Sequence, residues 1–250
     1  VTAVLTAVAL TDRGLRREEN EDAFHVGAHL LAVADGMGGH VAGGLASATV
    51  IAELATADRD GLLADTRGRL RAAILAANSA IARLVSARPE IEGTGTTVTA
   101  VVFDGAEFVV GNVGDSRTYL FRDGTLTGLT RDDSFVQMLV DSGQINADDA
   151  MRHPFRSLVT QALQGQDDVV PTIAGHPARL GDRLLLCSDG LTDVLGPQEL
   201  TAALSVRSAH ECAHALVDAA LTAGGPDNVT VVVADVQPGA AGQPMRNQSQ

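Results

Sequence analysis

Lysine is absent. All 18 basic residues of the 250-residue chain are arginine, against 31 acidic ones, and the net charge is −13. That excludes a lysine nucleophile and a lysine-bearing phosphate loop, and it leaves no basic stripe for nucleic acid. Tryptophan is missing too, and one Tyr and six Phe make up an aromatic share of only 3%. Cysteine is limited to Cys187 and Cys212, too few for a disulfide framework and too far apart for a metal-ligating pair. Both lie in apolar settings and read as buried thiols in a reducing compartment. No apolar run approaches the roughly 20 residues of a membrane span. The opening VTAVLTAVALTDRG lacks the basic head of a signal peptide and reads as a strand. The chain is therefore expected in the cytoplasm, with no membrane span of its own.

What is present is a 45% hydrophobic share without a visible repeat, as expected of a globular chain long enough for one large domain. Residues 2–10 alternate like a strand, and 23–35 suggest two more, with a turn near 27–29. Residues 40–57 and 61–87 have helical spacing, the second stopped by Pro89. From 96 to 130 the pattern turns β-branched with period two. Asp104-Gly105 and Asp123-Gly124 supply hairpin turns there, which predicts a meander of four strands. Residues 131–165 form a long, partly helical excursion. Strand, turn and strand follow, then helices over 197–204 and 208–223 and a last strand, NVTVVVADV. The tail 237–250 is polar, rich in Pro and Gly, and expected to be disordered. With no sustained strand–helix alternation and no linker, the expectation is one α+β domain over 1–236, with antiparallel sheets packed together and helices outside.

Two motifs mislead. LLAVADGMGGHVAGG, residues 30–44, opens like a nucleotide loop, but Val41 stands where a dinucleotide loop needs its third glycine, and Gly44 where a Walker loop needs lysine. HECAH, residues 210–214, has zinc-protease spacing, yet no third ligand follows, and Cys212, Ala213, Leu216, Val217, Ala220 and Leu221 give it the stripe of an ordinary amphipathic helix.

The informative pattern is acidic. Glu21 and Asp22 precede a strand, Asp35 ends one, Asp115 lies within the predicted meander, Asp189 and Asp193 mark a strand-to-helix junction, and Asp227 precedes the last strand. Any one alone reads as a turn residue or a cap. If they converge, each close pair costs roughly 4 kcal/mol at 4 Å, so protons or cations must neutralise them. Oxygen-only ligands select Mg²⁺ or Mn²⁺, or Ca²⁺. Two such ions sharing a carboxylate activate water toward a phosphate, and Arg17, four residues before Glu21, can supply a bidentate fork for it.

RREENED, LLAVADGMGGHVAGG, EGTGTT, VGDSR, LLLCSDGLTD and GGPDNVTVVV stand in the order and spacing of the type 2C metal-dependent protein phosphatases. Over about residues 5–236 the chain resembles their bacterial Ser/Thr members, particularly the actinobacterial ones. The resemblance implies a four-layer α-β-β-α sandwich, two antiparallel sheets flanked by helix pairs. It implies an enzyme that uses two Mn²⁺ or Mg²⁺ ions, with a third possible; the chain is expected to act as a monomer. Its substrates would be phosphoserine and phosphothreonine in proteins, Ser/Thr kinases among them, attacked in line by a metal-bridging hydroxide. Asp35 would bridge the ions; Asp189 and Asp227 would complete one, and Glu21 and the Gly36 carbonyl the other. Asp22 would orient water, and Arg17 would bind phosphate. Asp115 and Asp189 would hold the third ion, with Asp193 nearby. The excursion 131–165 matches the family's flap. Met37 departs from the members that carry a proton-donating His there, so the leaving-group proton is expected from water, and His40 reads as structural. Thr94, where relatives often have Met, is expected to affect packing only. The competing reading is a regulatory pseudo-phosphatase that binds phosphoproteins without cleaving them; such a module would lack a metal carboxylate, and none is missing.

Overall fold

The computed structural model describes residues 3–38, 41–206, 208–239 and 246–248; His40 lies outside them. Alternation along the strands separates their side chains into distinct cores. In β3 (Leu30–Met37), Leu30, Ala32 and Ala34 enter one core while Leu31 and Val33 enter another. β5 (Val98–Phe103) divides in the same way, Val98, Ala100 and Val102 against Val101 and Phe103. In β10 (Arg183–Cys187) and β11 (Val229–Pro238), Leu184, Leu186, Val232 and Ala234 join that second core, and Leu185, Cys187, Val231 and Val233 face a third. These strands are covered on both faces, which is why they read as unbroken apolar runs.

One sheet runs β2 (Asp22–Val26), β3, β5, β6 (Glu107–Val113) and β9 (Thr172–Pro177), with β4 (Gly95–Thr96) paired to the end of β3. The other runs β12 (Arg246–Gln248), β1 (Ala3–Asp12), β11, β10, β7 (Arg117–Arg122) and β8 (Thr125–Gly128). Among the described residues every pairing is antiparallel except β1 with β12. α1 (Val41–Asp60) and α2 (Thr66–Ala87) cover the first sheet through Ala46, Val50, Leu54, Leu70, Ile74 and Ile81. α2 has the length and apolarity of a membrane span, but its apolar stripe is used on the sheet. α6 (Pro197–Leu204) and α7 (Ala209–Thr222) cover the second sheet through Leu200, Leu204, Cys212, Leu216 and Ala220. The result is the expected α-β-β-α sandwich. Both thiols are free and buried, and burial pushes Cys187 up to about 12 and Cys212 to about 11.

The predicted meander is instead two hairpins in different sheets. β5–β6 belongs to one and β7–β8 to the other. The chain changes sheet at Gly114-Asp115-Ser116, where Gly114 has φ +98°, a backbone region that disfavours side chains. This puts Asp115 at a crossover between the sheets rather than within one. The flap, between β8 and β9, contains α3 (Phe135–Asp141) and α4 (Ala147–Met151). Its far end is fastened by reciprocal backbone bonds between Thr96 and Leu163 (3.0 and 2.9 Å). Buried Asn78 of α2 adds a bond to the Gln166 carbonyl (2.7 Å) and one from the Gly165 N–H (2.8 Å).

Asp58, buried in the last turns of α1, holds the β2–β3 turn by accepting from Ala28 N–H (2.9 Å), His29 N–H (3.1 Å) and His25 Nε2 (3.2 Å). These bonds outweigh its burial and keep its carboxyl below the usual range. A depressed folded-state pKa contributes stability that is complete above the unfolded value, about 3.9, and is lost as pH falls through the folded one. Asp58→Ala also strips an acceptor from two turn N–H groups; water can pair with that of exposed Ala28, and the partly covered His29 N–H bears a cost of up to about 1–3 kcal/mol. Urea denaturation at neutral pH should show a loss of a few kcal/mol that shrinks below about pH 4.

Candidate active site

The candidate site is the end of the inter-sheet core. Leu31 and Val33 of β3 face that core, and Asp35, two residues on, continues the same face. Asp22 is its direct register partner on β2, so the two carboxylates lie side by side. Strands of both sheets replace apolar residues with hydroxyls at this level. Thr97 pairs with Ser116 (2.7 Å), Thr99 with Thr118 (2.7 Å) and Thr11 with Thr230 (2.7 Å). Ser188, fully buried, donates to Asp22 Oδ2 (2.8 Å) and accepts from Thr230 N–H (3.0 Å). The EGTGTT turn clamps the main chain of Asp35: its N–H donates to Thr97 Oγ1 (3.1 Å), and its carbonyl accepts from Thr97 N–H (2.9 Å) and Thr96 Oγ1 (2.7 Å).

The glycines of the quoted stretch serve close approach. A Cβ on Gly43, in the first turn of α1, would stand 2.8 Å from the Gly36 carbonyl carbon, 2.9 Å from its oxygen and 2.9 Å from Glu21 Oε1. Only glycine lets the helix come this close to both oxygens.

A cavity of about 420 Å³ is lined by Arg17, Glu21, Asp35, Gly36, Asp115, Asp189 and Asp227, with Met37, Gly38, Thr97 and the flap residues Ser157, Leu158 and Val159. Among the sequence-predicted site residues, Asp22 and Asp193 are not on this wall. Asp22 lies behind it on Ser188. Asp193 lines a neighbouring cavity of about 580 Å³, which Asp115 and Asp189 also border, and it pairs with the flap's Arg156 at 3.4 Å. Arg17 is not free, since it donates to Asp227 Oδ2 at 2.6 Å.

Burial, then the charges of Asp22 and Asp189, holds the Asp35 carboxyl well above the usual carboxylate range. Burial also lifts Asp22 to about 7, against the Ser188 hydrogen bond, and Asp189 to about 6, with Asp193 adding to it. Asp115 is raised by burial and by Asp189, and Glu21 by burial. Arg17, paired with Asp227, leaves such a cluster short of positive charge. Two buried oxygens, Glu21 Oε1 and Asp22 Oδ1, have no hydrogen-bond partner, a costly condition for a carboxylate that a hard cation would relieve. The donors are all oxygens, as Mg²⁺ or Mn²⁺ require. Among the described residues no three acidic, His or Cys side chains are drawn in to ligand distance. Instead Asp227 is held by its ion pair with Arg17, and Asp35 lies close enough to Asp189 for the two to shift each other's titration.

The protein phosphatase 2C family model matches residues 15–223. The chain belongs to this family. It is 53% identical over 236 residues to the serine/threonine protein phosphatase PstP of Mycobacterium tuberculosis, covering 94% of this chain but 46% of that protein. The chain thus spans less than half the length of that relative. It is 37% identical to the serine/threonine phosphatase stp of Listeria welshimeri, covering 90% of this chain and 93% of that one. The crystal structure of the PstP catalytic domain in complex with two manganese ions superposes with a TM-score of 0.89 at 51% identity, covering 95% of this chain and all of that one.

Several parts of this protein phosphatase 2C site escaped the sequence reading. Asn228, 5% exposed, fastens the RREENED loop: it accepts from Glu21 N–H (2.8 Å) and donates to the carbonyls of Arg13 (2.9 Å) and Glu19 (2.8 Å). Ser47 of α1 donates to the Glu21 carbonyl (2.5 Å). The signal available was a polar residue between Asp227 and an apolar strand, which reads equally well as a turn. Thr94 does more than pack, because its hydroxyl donates to the Met37 carbonyl (3.1 Å), a bond that methionine cannot make. HECAH is a helix start. Ser208 Oγ accepts from Glu211 N–H (3.1 Å), an N-cap, and donates to Glu211 Oε2 (2.9 Å), and His210 and His214 are exposed.

Ser188→Ala removes the donor from Asp22 Oδ2 and the acceptor from Thr230. Loss of such a supporting bond costs roughly 10–100-fold in metal affinity or activity. Steady-state kinetics with Mn²⁺ should show a fall in kcat of that order, with the KM for a phosphopeptide within about threefold.

Proposed function

We propose that the chain is a Mn²⁺- or Mg²⁺-dependent phosphatase that hydrolyses phosphoserine and phosphothreonine in proteins and so opposes Ser/Thr kinases. The observation that carries the reading is the convergence of carboxylates from both sheets on one cavity whose wall also presents Arg17. Asp35, Asp189, Asp227, Glu21 and the Gly36 carbonyl would hold two ions, and Asp115, Asp189 and Asp193 a third. When bound, such ions withdraw charge from a phosphoryl group and make water a nucleophile at neutral pH.

The protein's own groups do the rest. Arg17 has N–H groups beyond the one on Asp227 and can present a fork to phosphate oxygens. Asp22, behind the wall with Oδ2 fixed by Ser188, keeps Oδ1 without a hydrogen-bond partner, and would orient water through that oxygen. Asn228 and Ser47 hold the Glu21 main chain. Met37 can supply no proton, so the leaving oxygen takes one from water. We take residues 1–236 as the catalytic domain and 237–250 as a polar tail, which departs from the expected disorder in that 237–238 continue β11 and 246–248 pair with β1. The setting we propose is a cytoplasmic monomer acting on phosphoproteins, kinases among them; the relatives' names support the phosphoprotein substrates, and the charge of −13 disfavours self-association.

The test is hydrolysis of a phosphothreonine peptide, measured with Mn²⁺, after EDTA, and after Mn²⁺ is restored. Activity should vanish and return; activity indifferent to EDTA overturns the reading, and binding without cleavage would favour a pseudo-phosphatase. Arg17→Ala should raise the phosphopeptide KM by about tenfold or more, the value of a charged hydrogen bond, and an unchanged KM argues against the fork.

A further inference from the structure

We propose that the flap carries a docking surface for an apolar side chain of the substrate polypeptide, near in sequence to the phosphorylated residue. This rests on the phosphatase reading above and adds a sequence preference to it.

Aromatic residues are scarce in this chain, and most of its Phe rings serve the cores: Phe103 and Phe108 are buried, and Phe24 and Phe121 pack against core clusters. The flap departs from that economy. Phe135, His153 and Phe155 form a ring cluster with centroids 5.7–6.1 Å apart. Phe155 at its edge is 58% exposed, and Leu158 is 51% exposed. Single exposed apolar residues need no explanation, but clustered ones mark interaction surfaces. The cluster is tied together by the main chain, with Leu158 N–H donating to the Phe155 carbonyl (3.1 Å) and Phe135 N–H to the Leu158 carbonyl (2.8 Å).

Its position identifies the occupant. Leu158, between Ser157 and Val159, lines the carboxylate cavity itself, so the apolar surface is continuous with the place where the phosphorylated residue must enter. A polypeptide whose phosphate reaches Arg17 leaves the cavity past Leu158 toward Phe155. An apolar flank there covers exposed rings and gains from leaving water.

The test uses two phosphothreonine peptides of equal length that differ only in carrying Leu or Asp at the positions within three residues of the phosphothreonine. Wild-type kcat/KM should favour the Leu peptide by about tenfold, the discrimination of a single apolar contact. In Phe155→Ser the ratio should fall toward one, and Leu158→Ser should lower it as well. Binding of the labelled peptides in EDTA, followed by fluorescence anisotropy, reads the same preference without turnover. A preference there with no Mn²⁺-dependent hydrolysis of p-nitrophenyl phosphate by the wild type would sink the phosphatase reading and leave the docking surface standing. Equal wild-type ratios, or a ratio unchanged in both variants, overturn the docking surface. So does a concentration-dependent dimer that Phe155→Ser disperses with no peptide preference, which would give the patch to a second copy.

Discussion

Asp35→Ala should abolish Mn²⁺-dependent hydrolysis of p-nitrophenyl phosphate while leaving the metal-free protein at least as stable as before. Asp35 is the carboxylate on which the arrangement turns. It is delivered by a buried strand, clamped at both main-chain polar groups by Thr96 and Thr97, and set beside Asp22 and Asp189. In the role proposed for it, Asp35 would help hold the ions, which supply several kcal/mol of charge stabilisation in the transition state, so kcat should drop roughly a thousandfold or more. Stability runs the other way. Burial and the neighbouring charges hold the Asp35 carboxyl above its ordinary range, so ionising it at neutral pH opposes folding. Alanine removes that penalty, and thermal melting in EDTA should show a Tm equal to or above wild type, the trade expected where function keeps a strained site. Activity above a tenth of wild type would defeat the assignment, and a fall in the EDTA Tm would defeat its electrostatic account.

Gly43→Ala makes the second large effect, because helix propensity and site geometry pull in opposite directions. In a helix, Ala is favoured over Gly by about 1 kcal/mol. Here the added methyl would lie 2.9 Å from Glu21 Oε1 and as close to the Gly36 carbonyl, the two oxygens that would serve one ion. The carbonyl belongs to a strand and cannot swing away, so Glu21 or the first turn of α1 must shift. Mn²⁺ affinity measured by calorimetry should weaken by tenfold or more for one ion, on the scale of losing a properly placed ligand or its support, while urea stability in EDTA changes by less than about 1 kcal/mol. Unaltered Mn²⁺ binding would show that this close packing is not needed for the ion.

The sandwich was legible because covered strands and amphipathic helices leave local periodic traces, and because acids at the ends of apolar runs are visible one at a time. What stayed hidden depends on pairs far apart in the chain. Thr97, Thr99, Ser116, Thr118 and Thr230 look like ordinary β-sheet formers until both sheets are seen to end in hydroxyls at one level. The split of the meander was illegible for a related reason, since hairpin turns announce pairing within a hairpin and say nothing about which sheet receives it. Arg17 carried the right chemistry in the sequence, but its hold on Asp227 spans 210 positions and leaves no local mark.

The acids at this end of the sandwich come from both sheets: Asp22 and Asp35 from one, Asp189 and Asp227 from the ends of strands in the other, and Asp115 from the link between them. Ions held among them would act as rivets as well as reagents, fastening two layers that otherwise meet through side-chain packing and a belt of hydroxyls. Chelation should then loosen the rim of the sandwich as well as silence the chemistry. Amide hydrogen exchange at the ends of β3, β10 and β11 should quicken in EDTA ahead of the helical faces.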